Sequence, residues 1–201
     1  MSSVFQPVSW QRMSDAVAKV RQRLLRAAEA LDETGVPYAV IGGNAVAAWV
    51  SKVDEAAVRN TRDVDLLLRR EDLPAATVAL EAAGFQHRHV ASLGQTGGME
   101  VFLDPESDKV RDAIHIVFAR EKTRADSPAP NPDVSEGADE GAFRLISLDA
   151  LVRMKLSAFR DKDRVHLRDL IDVGLVDESW PGRLPEGLAE RLSIILATPE
   201  G

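Results

Sequence analysis

Two acidic residues inside an apolar run place the strongest constraint on this chain. Asp63 and Asp65 stand two residues apart, immediately before Leu66-Leu67-Leu68. Side chains on a strand repeat every second residue, so an extended run from Arg62 to Leu68 turns both carboxylates to one face. Buried carboxylates are costly unless a cation or hydrogen bonds compensate them. The pair therefore predicts a divalent metal site at the start of a core strand.

A pair of glycines precedes these acids in the chain. Tyr38–Ile41 is apolar and follows Pro37, which predicts a strand, and Asn44–Val50 fits a helix after it. Between them, Gly42 and Gly43 permit a tight turn whose backbone N–H groups can approach a ligand. The N–H groups at a helix start are unpaired and carry partial positive charge, so this turn is suited to holding a phosphate. A strand-to-helix turn without a ligand is the simpler explanation of a glycine pair taken alone.

These motifs together carry a resemblance to a known family. Gly42-Gly43 at a strand end, followed by Thr61-Arg62-Asp63-Val64-Asp65, resembles the nucleotidyltransferase superfamily with the polymerase-beta-type palm fold. The likeness is to small bacterial members, among them the abortive-infection toxin type and the minimal nucleotidyltransferases. It continues through Lys155 and Arg160-Asp161-Lys162-Asp163. It implies an α/β (α+β) fold, with a mixed sheet flanked by helices and a C-terminal helical extension.

The resemblance and the order of the predicted elements also indicate the domain organisation. We expect residues 1–146 to form a nucleotidyltransferase-like α/β core and residues 147–201 to form a helical extension packed on it. Residues 120–142, rich in proline, glycine and acids, are expected to form a surface excursion. The predicted helices are 14–34, beginning at Ser14, then 71–83 and one that begins after Ser147; the predicted strands are 38–41, 62–68, 85–91, 99–103 and 113–119.

The resemblance also implies roles for individual residues. Asp63 and Asp65 would bind Mg²⁺ (or Mn²⁺) and a nucleoside triphosphate would be the substrate. The implied nucleotide-binding residues are Gly42, Gly43, Asn44, Arg59, Thr61 and Lys155.

Lys155 and the helix after it have two interpretations each. Lys155 shares the apolar face of its predicted helix, which directs it toward the protein. Without the resemblance, a lysine whose stem packs and whose ammonium reaches water is the better explanation. Asp163, His166 and Asp169 recur every third residue, which is typical of a solvated face, and the resemblance adds the alternative that they close the site.

His115 marks a departure from the family pattern. Relatives usually carry a third aspartate on a later strand, and the corresponding segment Ile114–Val117 offers His115 instead. Histidine can bind a metal or act as a general base, and it suits Mn²⁺ or Zn²⁺ better than Mg²⁺. We therefore count His115 with Asp63 and Asp65 as a catalytic candidate. A lone strand histidine is more often structural, and Glu100 and Asp104 are alternative third ligands.

Composition limits the function classes. The chain of 201 residues has a net charge of -7, which argues against a broad nucleic-acid-binding surface. It has no cysteine, which excludes disulfides, thiolate metal sites and thiol nucleophiles. No run approaches a membrane span and no signal peptide is recognisable, so we expect a cytoplasmic protein that does not bind membranes. Neither the acceptor nor the oligomeric state can be read from these residues.

Three functional hypotheses follow. The first is a metal-dependent enzyme that moves a nucleoside monophosphate from a triphosphate to a hydroxyl of a small molecule, protein or RNA. The second is an inactive binding protein of the same fold, such as a toxin–antitoxin component, which His115 in place of an acid favours. The third, a dinucleotide-binding Rossmann unit, fits poorly because the glycines are adjacent and the acids stand at the beginning of the apolar run.

Overall fold

A mixed β-sheet lies at the centre of the computed structural model, which describes residues 9–91, 98–105 and 110–198. The strands are β1 (Tyr38–Ile41), β2 (Val64–Leu68), β3 (Gln86–Val90), β4 (Met99–Leu103), β5 (Ile114–Phe118), β6 (Gly137–Asp139) and β7 (Arg144–Ile146). The helices are α1 (Trp10–Glu33), α2 (Gly42–Ser51), α3 (Leu73–Ala82), α4 (Leu148–Ala158), α5 (Asp161–Asp172) and α6 (Glu186–Ala197). No helix of these described residues is long and apolar enough to cross a lipid bilayer. The architecture confirms the predicted α/β (α+β) class with helices at the C-terminal end.

Strand β2 occupies the middle of the sheet, whose order is β3-β4-β5-β2-β1-β7-β6. Its antiparallel pairing with β1 sets Asp65 opposite Ile41, the residue before Gly42. Its parallel pairing with β5 sets Asp65 beside His115. The register therefore brings the glycine pair, the second acid and the histidine to one place, although they are far apart in sequence.

The two faces of the sheet pack against different helices. Leu66 and Leu68 of β2 belong to a buried cluster with residues of α1 and α3, whereas Leu67 packs in a cluster with residues of α2, α4, α5 and α6. Alternate residues of a strand face opposite sides, so Asp65 shares the face of Leu67. The second acid thus projects toward the layer of α2, α4 and α5.

Helix α1 begins earlier than its apolar spacing predicts. It starts at Trp10, and the Ser9 side chain caps it by accepting a hydrogen bond from the N–H of Arg12. The predicted start at Ser14 is therefore wrong. Residues 10–19 are exposed, so the first turns of the helix have no buried positions whose spacing could indicate where it begins. Val17, expected on the packed face, is 42% exposed. Packing of α1 begins only in its second half, where Leu24 and Leu31 are buried.

Residues 120–142 contain more structure than a surface excursion. Strand β6 pairs with β7, which itself lies beside β1, so the segment extends the sheet at one edge. The Asn131 amide donates a hydrogen bond to the carbonyl of Phe118, and Val134 is buried. Strands of three residues carry too little periodicity to be seen in the sequence, and the proline- and glycine-rich composition favoured a loop.

Candidate active site

A cavity of about 690 Å³ opens where β1 passes into α2. Its walls come from the start of α2, the segment before β2, strand β5, and helices α4 and α5. The residues that line it include Gly42, Gly43, Thr61, Arg62, Asp63, Asp65, His115, Lys155, Arg160, Lys162, Asp163 and His166. The cavity therefore collects most of the candidate residues from four separate parts of the sequence.

The acidic pair and His115 form one cluster in this cavity. His115 Nδ1 lies 3.5 Å from Asp65 Oδ1 and 3.8 Å from Asp63 Oδ2. Among the described residues, this is the one group in which three metal-ligating side chains each offer an atom within 4.8 Å of the others. Strand β2 begins only at Val64, so Asp63 lies in the bend before it, yet both carboxylates still reach the same cavity.

The orientation of His115 is set by its second ring nitrogen. Nε2 lies 2.8 Å from the carbonyl oxygen of Val110. A carbonyl oxygen only accepts hydrogen bonds, so Nε2 carries a hydrogen and donates it. In the neutral ring, Nδ1 is then the nitrogen with a free lone pair, and it is directed at the carboxylates of Asp63 and Asp65.

The ionisation of this cluster reflects burial and mutual charge. Burial alone would raise the pKa of Asp65, but the hydrogen bond with His115 and the charges of His115 and Lys155 hold that pKa below its ordinary value. Burial lowers the pKa of His115, but its contacts with Asp65, the Val110 carbonyl and Asp63 bring that pKa above its ordinary value of 6.5. The two carboxylates thus favour a positive charge at the position of Nδ1.

The two glycines are required by close contacts with neighbouring side chains. Gly42 has φ +69°, and a Cβ built on it would lie 2.0 Å from Asp65 Oδ2. A Cβ on Gly43 would lie 2.9 Å from Thr61 Cβ and Oγ1. Helix α2 begins at Gly42, and no side chain caps its start. The absent side chains therefore let Asp65 and Thr61 lie against a helix start whose N–H groups are suited to a phosphate.

Thr61 and Asn44 support Asp63 in different ways. The Thr61 hydroxyl donates a hydrogen bond to Asp63 Oδ1 at 2.7 Å, and Thr61 also lines the cavity. The Asn44 amide donates to the backbone carbonyl of Asp63 at 2.8 Å and is not part of the lining. The Asn44 side chain thus supports the loop that carries Asp63.

Lys155 lies in the cavity wall and is paired with an acid of α5. It is 6% exposed, as its helical spacing predicted, and its Nζ lies 3.3 Å from Asp163 Oδ1. Asp163, which is 1% exposed, also accepts hydrogen bonds from the guanidinium and backbone N–H of Arg160. Burial holds the pKa of Lys155 below its ordinary value, against the opposing charges of Asp163 and Asp65. The pair fixes the end of α4 to the start of α5 beside the acidic cluster.

The two arginines before β2, Arg59 and Arg62, differ in their relation to the cavity. Arg59 does not line the cavity, and its guanidinium binds the Asp169 carboxylate through Nη2 at 2.9 Å. Arg62, which strand alternation would turn to the opposite face, lines the cavity because it lies in a bend and not on β2. The partner of Arg59 is on α5, more than a hundred residues away, so the local sequence could not reveal it.

The acids considered as alternative third ligands are engaged elsewhere. Glu100 contacts the rings of His87 and His89 on β3 at 2.7 and 2.8 Å. Asp104 is buried and pairs with Arg23 and Arg26. Within the part of the chain that the structure describes, neither joins the metal-ligating group, so His115 holds the third position.

One wall of the cavity was not foreseen. The Arg70 guanidinium lies 3.7 Å from the centre of the Phe118 ring and binds both oxygens of Glu121 at 2.7 Å. All three residues line the cavity. Arg70 follows β2 and Glu121 follows β5, and an apolar strand end gives no sequence signal for such a pair.

His166 lines the cavity together with Asp163, whereas Asp169 of the same α5 repeat does not. Burial and the charge of Lys155 lower the pKa of His166 to about 4, so its ring is neutral near pH 7. Its Nδ1 is buried and, among the described residues, has no hydrogen-bond partner. The repeat of Asp163, His166 and Asp169 is therefore not a uniformly solvated face.

The fold and the site together define a class of protein. A mixed sheet that sets paired carboxylates against a glycine-started helix is the arrangement that the resemblance to nucleotidyltransferases predicted. The chain belongs to the family described as "Uncharacterised nucleotidyltransferase", whose model matches residues 9–179. The predicted family is thereby confirmed. A comparison with curated proteins gives no match.

The solved structures that are similar to this chain include an antibiotic-resistance factor, a protein from Helicobacter pylori and a viral polyadenylate synthase. ANT(2'')-Ia, an antibiotic-resistance factor, has 18% sequence identity, with 91% of this chain and 91% of that chain covered and a TM-score of 0.48. JHP933 from Helicobacter pylori has 13% identity, with 96% and 93% covered and a TM-score of 0.43. The Megavirus polyadenylate synthase has 9% identity, with 98% and 35% covered and a TM-score of 0.40. Likenesses at this level carry no argument about substrate.

Proposed function

We propose that the protein transfers a nucleoside monophosphate from a nucleoside triphosphate to a hydroxyl group, with a divalent metal, Mg²⁺ or Mn²⁺, held by Asp63 and Asp65. One observation carries the proposal. Asp63, Asp65 and His115 form a three-ligand cluster directly beside the uncapped start of α2. Metal ligands and a phosphate-binding helix start in one cavity are the two parts that phosphoryl-group chemistry requires.

The residues present fit a divalent cation. In the neutral ring, His115 Nδ1 faces two carboxylates, and these atoms are all acceptors, so a cation between them removes their mutual repulsion. Mg²⁺ commonly takes one or two carboxylates and completes its shell with substrate phosphates and water. When bound, such an ion neutralises phosphate charge and stabilises the oxygens that enter and leave.

The triphosphate would lie along the start of α2. Gly42 and Gly43 keep this helix end open, and Lys155 supplies a buried positive charge to the same cavity. Arg62 and Lys162 also line the cavity, and Thr61 orients the Asp63 carboxylate. We assign Asn44 a supporting role and Arg59 no direct role, because neither lines the cavity. The chemistry then consists of positioning and charge stabilisation, as in other phosphoryl-transfer sites.

The acceptor would be a hydroxyl of a small molecule, a protein or RNA. The second hypothesis, an inactive binding protein such as a toxin–antitoxin component, shares the cavity but not the reaction. His115 in place of a third acid is the feature that favours it.

Transfer of label from α-³²P triphosphates decides between them. Purified protein is incubated with each of the four ribonucleoside triphosphates, Mg²⁺ or Mn²⁺, and cell extract, with Asp65→Asn as the matched control. We expect one or more triphosphates to leave label on an acceptor with the wild type and none with Asp65→Asn. Metal-dependent nucleotide binding without transfer, with any metal and any extract fraction, would favour the inactive binding protein.

A further inference from the structure

The third ligand of the site differs in kind from the first two. Resting on the metal site of the proposed function, we propose that His115 makes this site selective for a first-row transition dication, Mn²⁺ before Mg²⁺. Asp63 and Asp65 offer oxygen atoms, and His115 offers the nitrogen Nδ1 within the same cluster. The donor set is therefore two oxygens and one nitrogen.

The distances suit three ligands on one side of a single ion. With metal–ligand bonds of roughly 2.1 Å at right angles, neighbouring ligand atoms lie about 3 Å apart. His115 Nδ1 lies 3.5 and 3.8 Å from the nearest oxygens of Asp65 and Asp63. A contraction of less than about 1 Å brings Nδ1 to this spacing from each of these oxygens, and all three ligand atoms already lie within 4.8 Å of one another. An ion held from this side keeps its opposite side for phosphate oxygens and water.

The surroundings make Nδ1 the ring nitrogen of His115 that is free to bind a metal. Nε2 of His115 donates its hydrogen to the Val110 carbonyl at 2.8 Å, and metal-bound histidines almost always anchor their second nitrogen in this way. The Asp63 carboxylate is likewise held by Thr61. Gly42 lacks the side chain that would displace Asp65. Each of the three ligands is thus positioned by a neighbour.

No nearby carboxylate completes an all-oxygen set among the residues that the structure describes. Glu100 is bound by His87 and His89, and Asp104 by Arg23 and Arg26. Mg²⁺ strongly prefers oxygen, and imidazole nitrogen suits transition ions. A site obliged to use His115 therefore loses affinity for Mg²⁺ relative to Mn²⁺.

The test measures metal binding by the metal-free full chain without nucleotide. Mn²⁺ binding is followed by electron paramagnetic resonance, and Mg²⁺ affinity is obtained by competition. We expect Mn²⁺ to bind at least about tenfold more tightly than Mg²⁺, and His115→Asp to reduce this ratio by about 10-fold or more. An unchanged ratio in a folded His115→Asp protein overturns the proposal.

A second readout requires no variant of the site. Pulsed electron paramagnetic resonance detects the coupling between Mn²⁺ and a directly bonded ¹⁴N nucleus. We expect this coupling in the wild type and in His89→Gln, an exposed histidine outside the cavity that serves as the control. Its absence from the wild type, or its loss in His89→Gln, overturns the proposal whether or not His115→Asp folds.

The result is separable from the proposed function. Nitrogen-coupled Mn²⁺ in a protein that transfers no label leaves the metal assignment standing and refutes the transferase. Label transfer with no nitrogen coupling and no preference for Mn²⁺ refutes the assignment of His115 as a metal ligand and leaves the transferase standing.

Discussion

Gly42→Ala should damage the site far more than it damages the fold. The added Cβ would lie 2.0 Å from Asp65 Oδ2, so the carboxylate must retreat by about 1.3 Å to reach the roughly 3.3 Å of close carbon–oxygen contacts. Misplacement of a reacting group by about 1 Å can cost on the order of 100-fold in rate. The left-handed φ of +69° adds strain of about 1–2 kcal/mol for any residue with a side chain. We therefore expect a stability loss of at least about 1–2 kcal/mol and a loss of transfer on the order of 100-fold.

Gly35→Ala provides the matched control. Gly35 has nearly the same φ, +67°, but a Cβ there meets nothing within 4 Å. Both variants pay the backbone strain, so urea unfolding should show a loss of about 1–2 kcal/mol in Gly35→Ala and no less in Gly42→Ala. Only Gly42→Ala should lose metal binding and transfer. Wild-type metal affinity and transfer in a folded Gly42→Ala protein would refute the account of why this glycine is needed.

Three further predictions concern α4, α5 and the residues paired with them. Asp163→Asn should lower the free energy of unfolding by about 3 kcal/mol or more, because it leaves the buried Lys155 ammonium without its carboxylate partner. Lys155→Met should lower the free energy of unfolding by less than Asp163→Asn does, but it should weaken triphosphate binding. As the pH is lowered from 6.5 to about 4, the unfolding free energy of the wild type should fall, with at most on the order of 3 kcal/mol of the loss due to His166. The reason is that the imidazole of the unfolded chain binds a proton in this window and that of the folded chain does not. His166→Gln should show a smaller loss over the same window. Arg59→Ala should lower stability by about 1–3 kcal/mol, because it removes the guanidinium bound to the mostly buried Asp169 carboxylate. It should leave transfer unchanged, because the Arg59–Asp169 pair lies outside the cavity.

Each of these has an outcome that contradicts its reasoning. Asp163→Asn as stable as the wild type in urea would mean that Lys155 finds another partner or water. Parallel pH profiles for the wild type and His166→Gln would mean that His166 is not buried as a neutral ring. Loss of transfer in Arg59→Ala would instead support the nucleotide contact that the sequence predicted for Arg59.

The sequence predicts the centre of the site because its signals there are local. The two-residue spacing of Asp63 and Asp65 and the adjacent Gly42 and Gly43 each depend on backbone geometry within a few residues. His115 could be named from its position in an apolar strand, but its alignment with Asp65 requires the parallel pairing of β2 and β5. Pairing between distant strands is set by the whole sheet, so the spacing of residues along the chain cannot give it.

The features of the structure that the sequence did not predict also lack a local sequence pattern. The partners of Arg59 and Arg70 lie on distant elements, and neither pair has a local pattern. Strands β6 and β7 are three residues each, too short for an alternation to be recognised. The exposed first turns of α1 lack the buried stripe by which a helix start is recognised.

Diffraction from crystals soaked with Mn²⁺ and an α,β-methylene ribonucleoside triphosphate tests the central claim most directly. The anomalous signal of manganese locates the ion independently of the protein geometry. The account predicts a peak bonded to Asp63, Asp65 and His115 Nδ1, with triphosphate oxygens on the ion and at the N–H groups of Gly42 and Gly43. An ion bound elsewhere, or a triphosphate that avoids the start of α2, would contradict it.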